Sequence, residues 1–199
     1  MIAKPNRDRR SERHEAIRRE ILDAAWAAAH ESSIAGLTLR DIASRVGMQQ
    51  PSLYSHFASK QAIYDAMFQQ AWQAYLESAR TSAAGLPAEP RARLTGIAEH
   101  YFDFAVADLP RHQLMDVNVV PNFQPSTEAY VPAVEVYGLM LELLRGLGVT
   151  TDEDADIFTA LIGGLVNQQL ANDPGGQRWR RLIPRVMTMF ADDLGLPER

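Results

Sequence analysis

The chain has 199 residues, 46% of them hydrophobic, and no cysteine. It is long enough for one large or two small domains around a true core, and it offers no disulfide, thiolate metal site or cysteine nucleophile. No apolar run approaches the roughly 20 residues of a membrane-spanning helix, and the charged N-terminus lacks the apolar segment of a secretory signal, so a soluble, cytoplasmic protein is expected. The net charge of −5 hides a division: through Lys60 ten Lys/Arg stand against seven Asp/Glu, and after it ten stand against eighteen. A basic N-terminal third on an acidic body is the electrostatic pattern of a nucleic-acid-binding head on a separate domain.

Residues 1–10 are polar, basic and broken by Pro5, which reads as a disordered arm. From Ser11 a helix is expected, with Ile17, Ile21, Ala24, Ala25 and Ala28 at three- and four-residue spacing. Thr38 is a good N-cap, and Asp41 three residues later makes a variant capping box. The helix it opens is expected to bury Leu39, Ile42, Ala43 and Val46 and to stop at Gly47, a residue that takes positive φ without strain. Pro51 suits the first turn of the next short helix, which ends near Phe57. Ser59 caps a fourth helix reaching Arg80, and Gly85, Pro87 and Pro90 mark a break. Further helices are expected over Arg91 to Ala107, Pro110 to Asp116, Ser126 to Leu147, Asp152 to Ala171 and Gln177 to Leu194. The fold class is therefore all-α, about nine helices. It divides into an arm (1–10), a three-helix head (11–58), a connecting helix (59–82) and a C-terminal regulatory and dimerisation domain (83–199).

Two short helices joined by a glycine turn and preceded by a longer one form a helix-turn-helix candidate. The second short helix can enter a major groove with Gln49, Gln50, Pro51 and Ser52 at the base edges. Glutamine pairs bidentately with adenine, and serine donates to or accepts from several bases. The stretch Thr38 to Lys60, TLRDIASRVGMQQPSLYSHFASK, resembles the tetracycline-repressor (TetR) family of bacterial regulators. It has Thr38, Ile42-Ala43, Gly47, Leu53-Tyr54, His56-Phe57 and Lys60 in the family's register, and Ile21 to Ala25 resembles the family's first helix. The departure is Gln50-Pro51, where the family often has a basic residue or glycine. The resemblance implies a homodimeric, double-stranded-operator-binding repressor released by a small apolar effector. It implies phosphate contacts from Tyr54, His56 and Lys60, with Thr38 and Arg40 at a second helix start and Ser55 beside them. Such contacts fix the register that base contacts then use.

In the C-terminal part, aromatic and methionine side chains among polar ones suggest an effector pocket from His100, Tyr101, Phe104, Met115, Phe123, Tyr137, Met140 and Asn167. The same stripe also reads as plain core. His100 with Asp103, and His112 with Asp116, each lack the third group that a metal or acid-base site needs. No cofactor or metal is called for, and no enzyme is expected. Ile157, Leu161 and Leu165 on one helix and Leu182, Val186 and Phe190 on the last suggest a four-helix dimer interface. The alternative is that both faces are satisfied within one chain. Two other readings stay open: a DNA-binding protein without an effector, and a helical enzyme using His100 and Asp103.

Overall fold

The structure is a computed structural model, and it describes residues 5–117 and 119–197. Among these, the chain forms nine α-helices and no strand: α1 (Pro5–Glu31), α2 (Leu39–Val46), α3 (Gln50–Leu53), α4 (Lys60–Ala83), α5 (Pro90–Ala107), α6 (Leu109–Asp116), α7 (Thr127–Arg145), α8 (Asp152–Asn172) and α9 (Ile183–Asp193). The arm expected over residues 1–10 is helical from Pro5 onward, because proline suits a first turn and the residues after it are compatible with helix. Residues 1–4 lie outside the described residues. The long last helix expected from Gln177 is also divided. A 3-10 turn, Arg180–Leu182, precedes α9, since Pro184 has no N–H for a helix interior and sits instead in the first turn of α9.

The chain divides into two compact units. One holds the residues through Ala71 together with Gln113–Tyr130, and the other holds Trp72–His112 and the residues from Val131 onward. The division falls inside α4, and it assigns to the head unit a loop segment that the sequence boundaries at 58 and 82 place in the C-terminal domain.

In the head unit α1 packs on α2, and α2 on α3. Ile21, Ala25, Ile34, Leu37, Ile42, Leu53, Phe57, Ile63 and Met67 are buried. The helix ends are closed locally. Thr38 Oγ1 accepts from the Asp41 amide at 3.1 Å and donates to Asp41 Oδ2 at 2.5 Å. Gly47 ends α2 at φ 73°, and the Met48 amide reaches back to the Ala43 carbonyl at 2.8 Å. A side chain at that φ is disfavoured, which is why glycine stands there. Ser59 Oγ accepts from the Ala62 amide at 3.0 Å. Two tertiary bonds tie α4 into this unit: Tyr64 donates its hydroxyl to the Ile34 carbonyl at 2.8 Å, and the Trp26 indole donates to Gln70 at 2.8 Å.

The segment Gln113–Tyr130 is fastened to the first half of α4. Asp65 accepts from the Ser126 amide and from its hydroxyl, both at 2.7 Å, while Ser126 Oγ accepts from the Ala129 amide at 3.1 Å and so caps α7. Phe123 is buried against Tyr64 and Phe68, with centroids 5.7 and 6.2 Å away, and Tyr130 stacks on Phe68 at 5.6 Å.

In the second unit α5 packs on α8 and α9. Leu94, Phe102, Phe158, Ile162, Met187 and Phe190 form its core. The buried Gln169 is satisfied, since it accepts from the Trp179 amide at 2.9 Å and donates to the Asp173 carbonyl. Arg91, at the start of α5, reaches the Leu196 carbonyl at 2.7 Å and Asp192 at 2.5 Å. The Arg180 guanidinium forks onto both oxygens of Asp103 at 2.7 and 2.8 Å. That pair takes Asp103 away from the acid-base role considered for it with His100, because both its oxygens already accept from the guanidinium.

Candidate nucleic-acid interface

α2 and α3 are short and closely joined, and their apolar side chains, Ile42, Ala43 and Leu53, all point inward. The residues left outside are polar. Gln49, Gln50, Pro51 and Ser52 are exposed. Gln49 is the N-cap of α3 with extended backbone and makes no side-chain cap bond, so its amide is available to a base edge. Pro51 sits in the first turn, where the lost N–H costs nothing and φ is preset. Its ring stiffens the edge that the glutamines occupy.

Tyr54 is 52% exposed, and Ser55 and Arg40 are exposed as well. Ser55 donates its hydroxyl to the Ser52 carbonyl at 2.7 Å, and the hydroxyl hydrogen of Thr38 goes to Asp41. A phosphate contact from either hydroxyl as donor therefore requires that bond to be exchanged. The Lys60 ammonium lies 5.2 Å over the Tyr64 ring at the start of α4, a helix N-terminus that favours anions. Burial pushes the Tyr64 phenol up to about 12.

The structure adds two residues that the motif left out. Arg18 of α1 donates to the His56 carbonyl and lies 4.0 Å over the Phe57 ring. His14, one turn earlier, stacks on the His56 ring at 4.7 Å, and its Nε2 is 3.4 Å from the Ser55 carbonyl. These contacts hold the turn after α3 against α1. The signal available in the sequence was the spacing of His14 and Arg18, four residues apart on one helical face.

Residues 21–67 match the family described as bacterial regulatory proteins, tetR family. The matched segment runs from α1 into α4 and contains the polar edge, so it is this head that is similar to the family. Over 162 residues it is 25% identical to the tetracycline repressor protein class A from transposon 1721 of Escherichia coli, covering 79% of this chain and 69% of that one. Over 50 residues it is 42% identical to the class D tetracycline repressor of Escherichia coli, covering 25% of this chain and 23% of that one. In fold it matches the TetR-family transcriptional regulator PfmR from Thermus thermophilus, with a TM-score of 0.62 and 17% identity over 90% of this chain and 99% of that one. The family consists of DNA-binding transcriptional regulators, not enzymes. Among the described residues of this chain, no helix is long and apolar enough to cross a membrane.

The side chains expected to bind an effector are divided between the units. His100, Tyr101 and Phe104 of α5 gather round Tyr75, with centroids 5.8, 5.3 and 4.8 Å away, and Trp72 stands 6.3 Å from the same ring. His100 Nε2 is 3.3 Å from the Ser78 hydroxyl. Burial holds the His100 imidazole below its ordinary range, against an opposing pull from Asp103. Met115 and Phe123 belong to the head unit. The Phe123 ring packs within the head unit, against Tyr64 and Phe68. Tyr137 is 45% exposed. Met140 packs on the core of the second unit. Asn167 is exposed, with its Oδ1 3.3 Å from Nε2 of the buried His112. Tyr75 and Trp72 escape a sequence reading because they lie on α4, which the chain presents as a connector. No group of three metal-ligating side chains occurs among the described residues.

The residues expected at a dimer face differ in their burial within the single chain. Leu165 and Phe190 are only 8% and 4% exposed within the single chain. Phe190 packs on Phe158 with centroids 6.1 Å apart. Ile157 is exposed, while Leu161, Leu182 and Val186 are half-buried at the rim of the same core. Met189, not among the expected residues, is 63% exposed.

Proposed function

We propose that this chain is a transcriptional regulator that binds double-stranded operator DNA in the cytoplasm as a homodimer and represses transcription until a small apolar effector releases it. The observation that carries the DNA part is the polar edge Gln49 to Ser52, left fully outside while Ile42 and Leu53 are buried beneath it. Gln49, Gln50 and Ser52 would read bases, and Arg40, Tyr54, His56 and Lys60 would hold phosphates, with Thr38 and Ser55 joining if their hydroxyls exchange partners. The self-association surface would be the outer edge of α8 and α9, with Ile157, Leu161, Leu182 and Val186. Exposure of Met189 and Ile157 supports it.

The effector would lodge beside the aromatic group at Tyr75, His100, Tyr101 and Phe104. Aromatic walls with one neutral imidazole suit an apolar molecule with a single polar group. Release requires an effector that prefers one arrangement of α4, because tight binding without such a preference shifts nothing. The Asp65–Ser126 pair supports a route for that preference, since α4 and the start of α7 are bonded to each other there. The test is selection of binding sites from a random duplex pool by the purified protein, repeated with added small-molecule fractions. Enrichment of an inverted repeat, lost with one fraction, is expected. A pool without enrichment overturns the reading, and enrichment that no fraction disturbs overturns the effector part alone.

A further inference from the structure

His56 lies in an unusual setting for a phosphate contact. From α1 it faces the His14 ring, stacked at 4.7 Å and tilted by 32°, and Arg18, which donates to its carbonyl. Glu15 stands 3.7 Å from His14. On α4 the nearest cation in the chain order is Lys60, over the Tyr64 ring, and on the α3 side Tyr54 is exposed. His56 Nδ1 is covered and has no hydrogen-bond partner among the described residues. No carboxylate among them bonds to the His56 ring, so nothing there favours its charged form in the free protein. Two cationic or potentially cationic groups and burial all oppose it, and they hold the His56 imidazole below its ordinary range, burial first, then His14 and Arg18.

We propose that His14, Arg18 and His56 form a proton-linked phosphate anchor, in which a DNA phosphate docks against the imidazole pair and draws a proton from solution onto His56. The inference rests on the DNA-binding reading above. A phosphate would supply the counter-charge that the His56 ring itself lacks, Glu15 standing beside His14 instead, and an anion beside an imidazole favours the protonated ring. Arg18 is a positioning residue: its bond to the His56 carbonyl and its stacking on Phe57 fix where the ring stands. Burial of the ring and the Arg18 charge disfavour protonation of His56 until the phosphate arrives, and His14 stacks against the same ring.

The sign follows from linkage. Binding raises the proton affinity of His56, so DNA affinity is greatest below the free-protein value, which lies under 6.5. It falls as pH rises toward the bound-state value and levels off above it. The steepest fall is about tenfold per pH unit for one linked proton.

The experiment is fluorescence anisotropy of the full chain with a short random-sequence duplex, from about pH 5 to about pH 8 at constant ionic strength. Calorimetric titration in two buffers of different ionisation enthalpy accompanies it. The parent is expected to lose affinity with rising pH and to take up close to one proton per bound head. His56→Gln, which keeps a donor but does not titrate, is expected to have a flat profile and no linked uptake. Arg18→Lys, which keeps the charge but not the planar fork, is expected to bind more weakly at every pH while retaining the slope. A parent that binds DNA with no pH dependence and no proton uptake overturns the anchor alone. So does His56→Gln with the parent's slope. A parent that binds no duplex at any pH overturns the DNA-binding reading and the anchor with it. The calorimetric result on the parent needs no variant to fold.

Discussion

The two units solve the same problem, burying one face of each helix, with different materials. The head carries two very short helices, α2 and α3, over a core of aliphatic and aromatic side chains, and it closes helix ends with bonds three residues long, as at Thr38–Asp41 and Ser59–Ala62. What remains outside, Gln49 to Ser52, is polar and held stiffly. The second unit is held by arginines that bond across long spans, Arg180 on Asp103 and Arg91 on the Leu196 carbonyl. Its aromatic group round Tyr75 contains a stacked imidazole rather than another apolar side chain. Under the proposed function, stiffness suits the edge that would read a duplex, and a polar ring among aromatic ones suits the site that would take a ligand.

The largest expected effect tests which side of α9 is core. Phe190→Asp should lower the unfolding free energy by at least the ~3–5 kcal/mol of a buried phenylalanine truncation, because it also buries a charge. Met189→Asp, one residue away and exposed, should leave the melting temperature nearly unchanged and shift the sedimentation of the parent toward monomer. Equal loss of stability in both variants would break the assignment of inside and outside.

Next come the contacts of the head. Gln49→Ala should cost ~1–3 kcal/mol of discrimination at one or two operator positions, measured by competition between matched and substituted duplexes. Lys60→Ala should weaken matched and random duplexes alike and reduce the salt slope by about one. Identical behaviour of the two variants would mean that base and phosphate contacts are wrongly divided.

Asp65→Asn should keep operator affinity and raise amide exchange at the start of α7, where Ser126 loses a charged acceptor worth ~1.5–3 kcal/mol. Exchange there that is unchanged would remove the tie between α4 and α7 from the mechanism.

The smallest effect is alkaline. The Tyr64 phenol stands at about 12 against its ordinary 10.0, through burial. The neutral form is thus favoured in the folded state, and the stability it contributes is full below pH 10.0 and lost as pH rises through about 12. Tyr64→Phe should cost about 1 kcal/mol at neutral pH by losing the bond to Ile34, and it should flatten the alkaline loss seen in denaturant melts of the parent.

What the sequence determined by itself is what short-range physics controls. The order of the helices, the caps at Thr38, Ser59 and Ser126, the stop at Gly47 and the polar edge from Gln49 to Ser52 all depend on neighbours within a few residues, so their signals are printed side by side in the chain. The tertiary structure decided the choices for which the chain offers several equal candidates. Leu165 and Phe190 sit on helices whose apolar stripe is wider than one core needs, and only the packing against Phe158 and its neighbours turned them inward. Phe123 went to Tyr64 and Phe68, and Asp103 to Arg180, 77 residues away. The bonds of His14 and Arg18 to the turn after α3 span 41 and 38 residues. A contact of that span leaves no periodicity behind, because its energy is gained only after the loops between have closed.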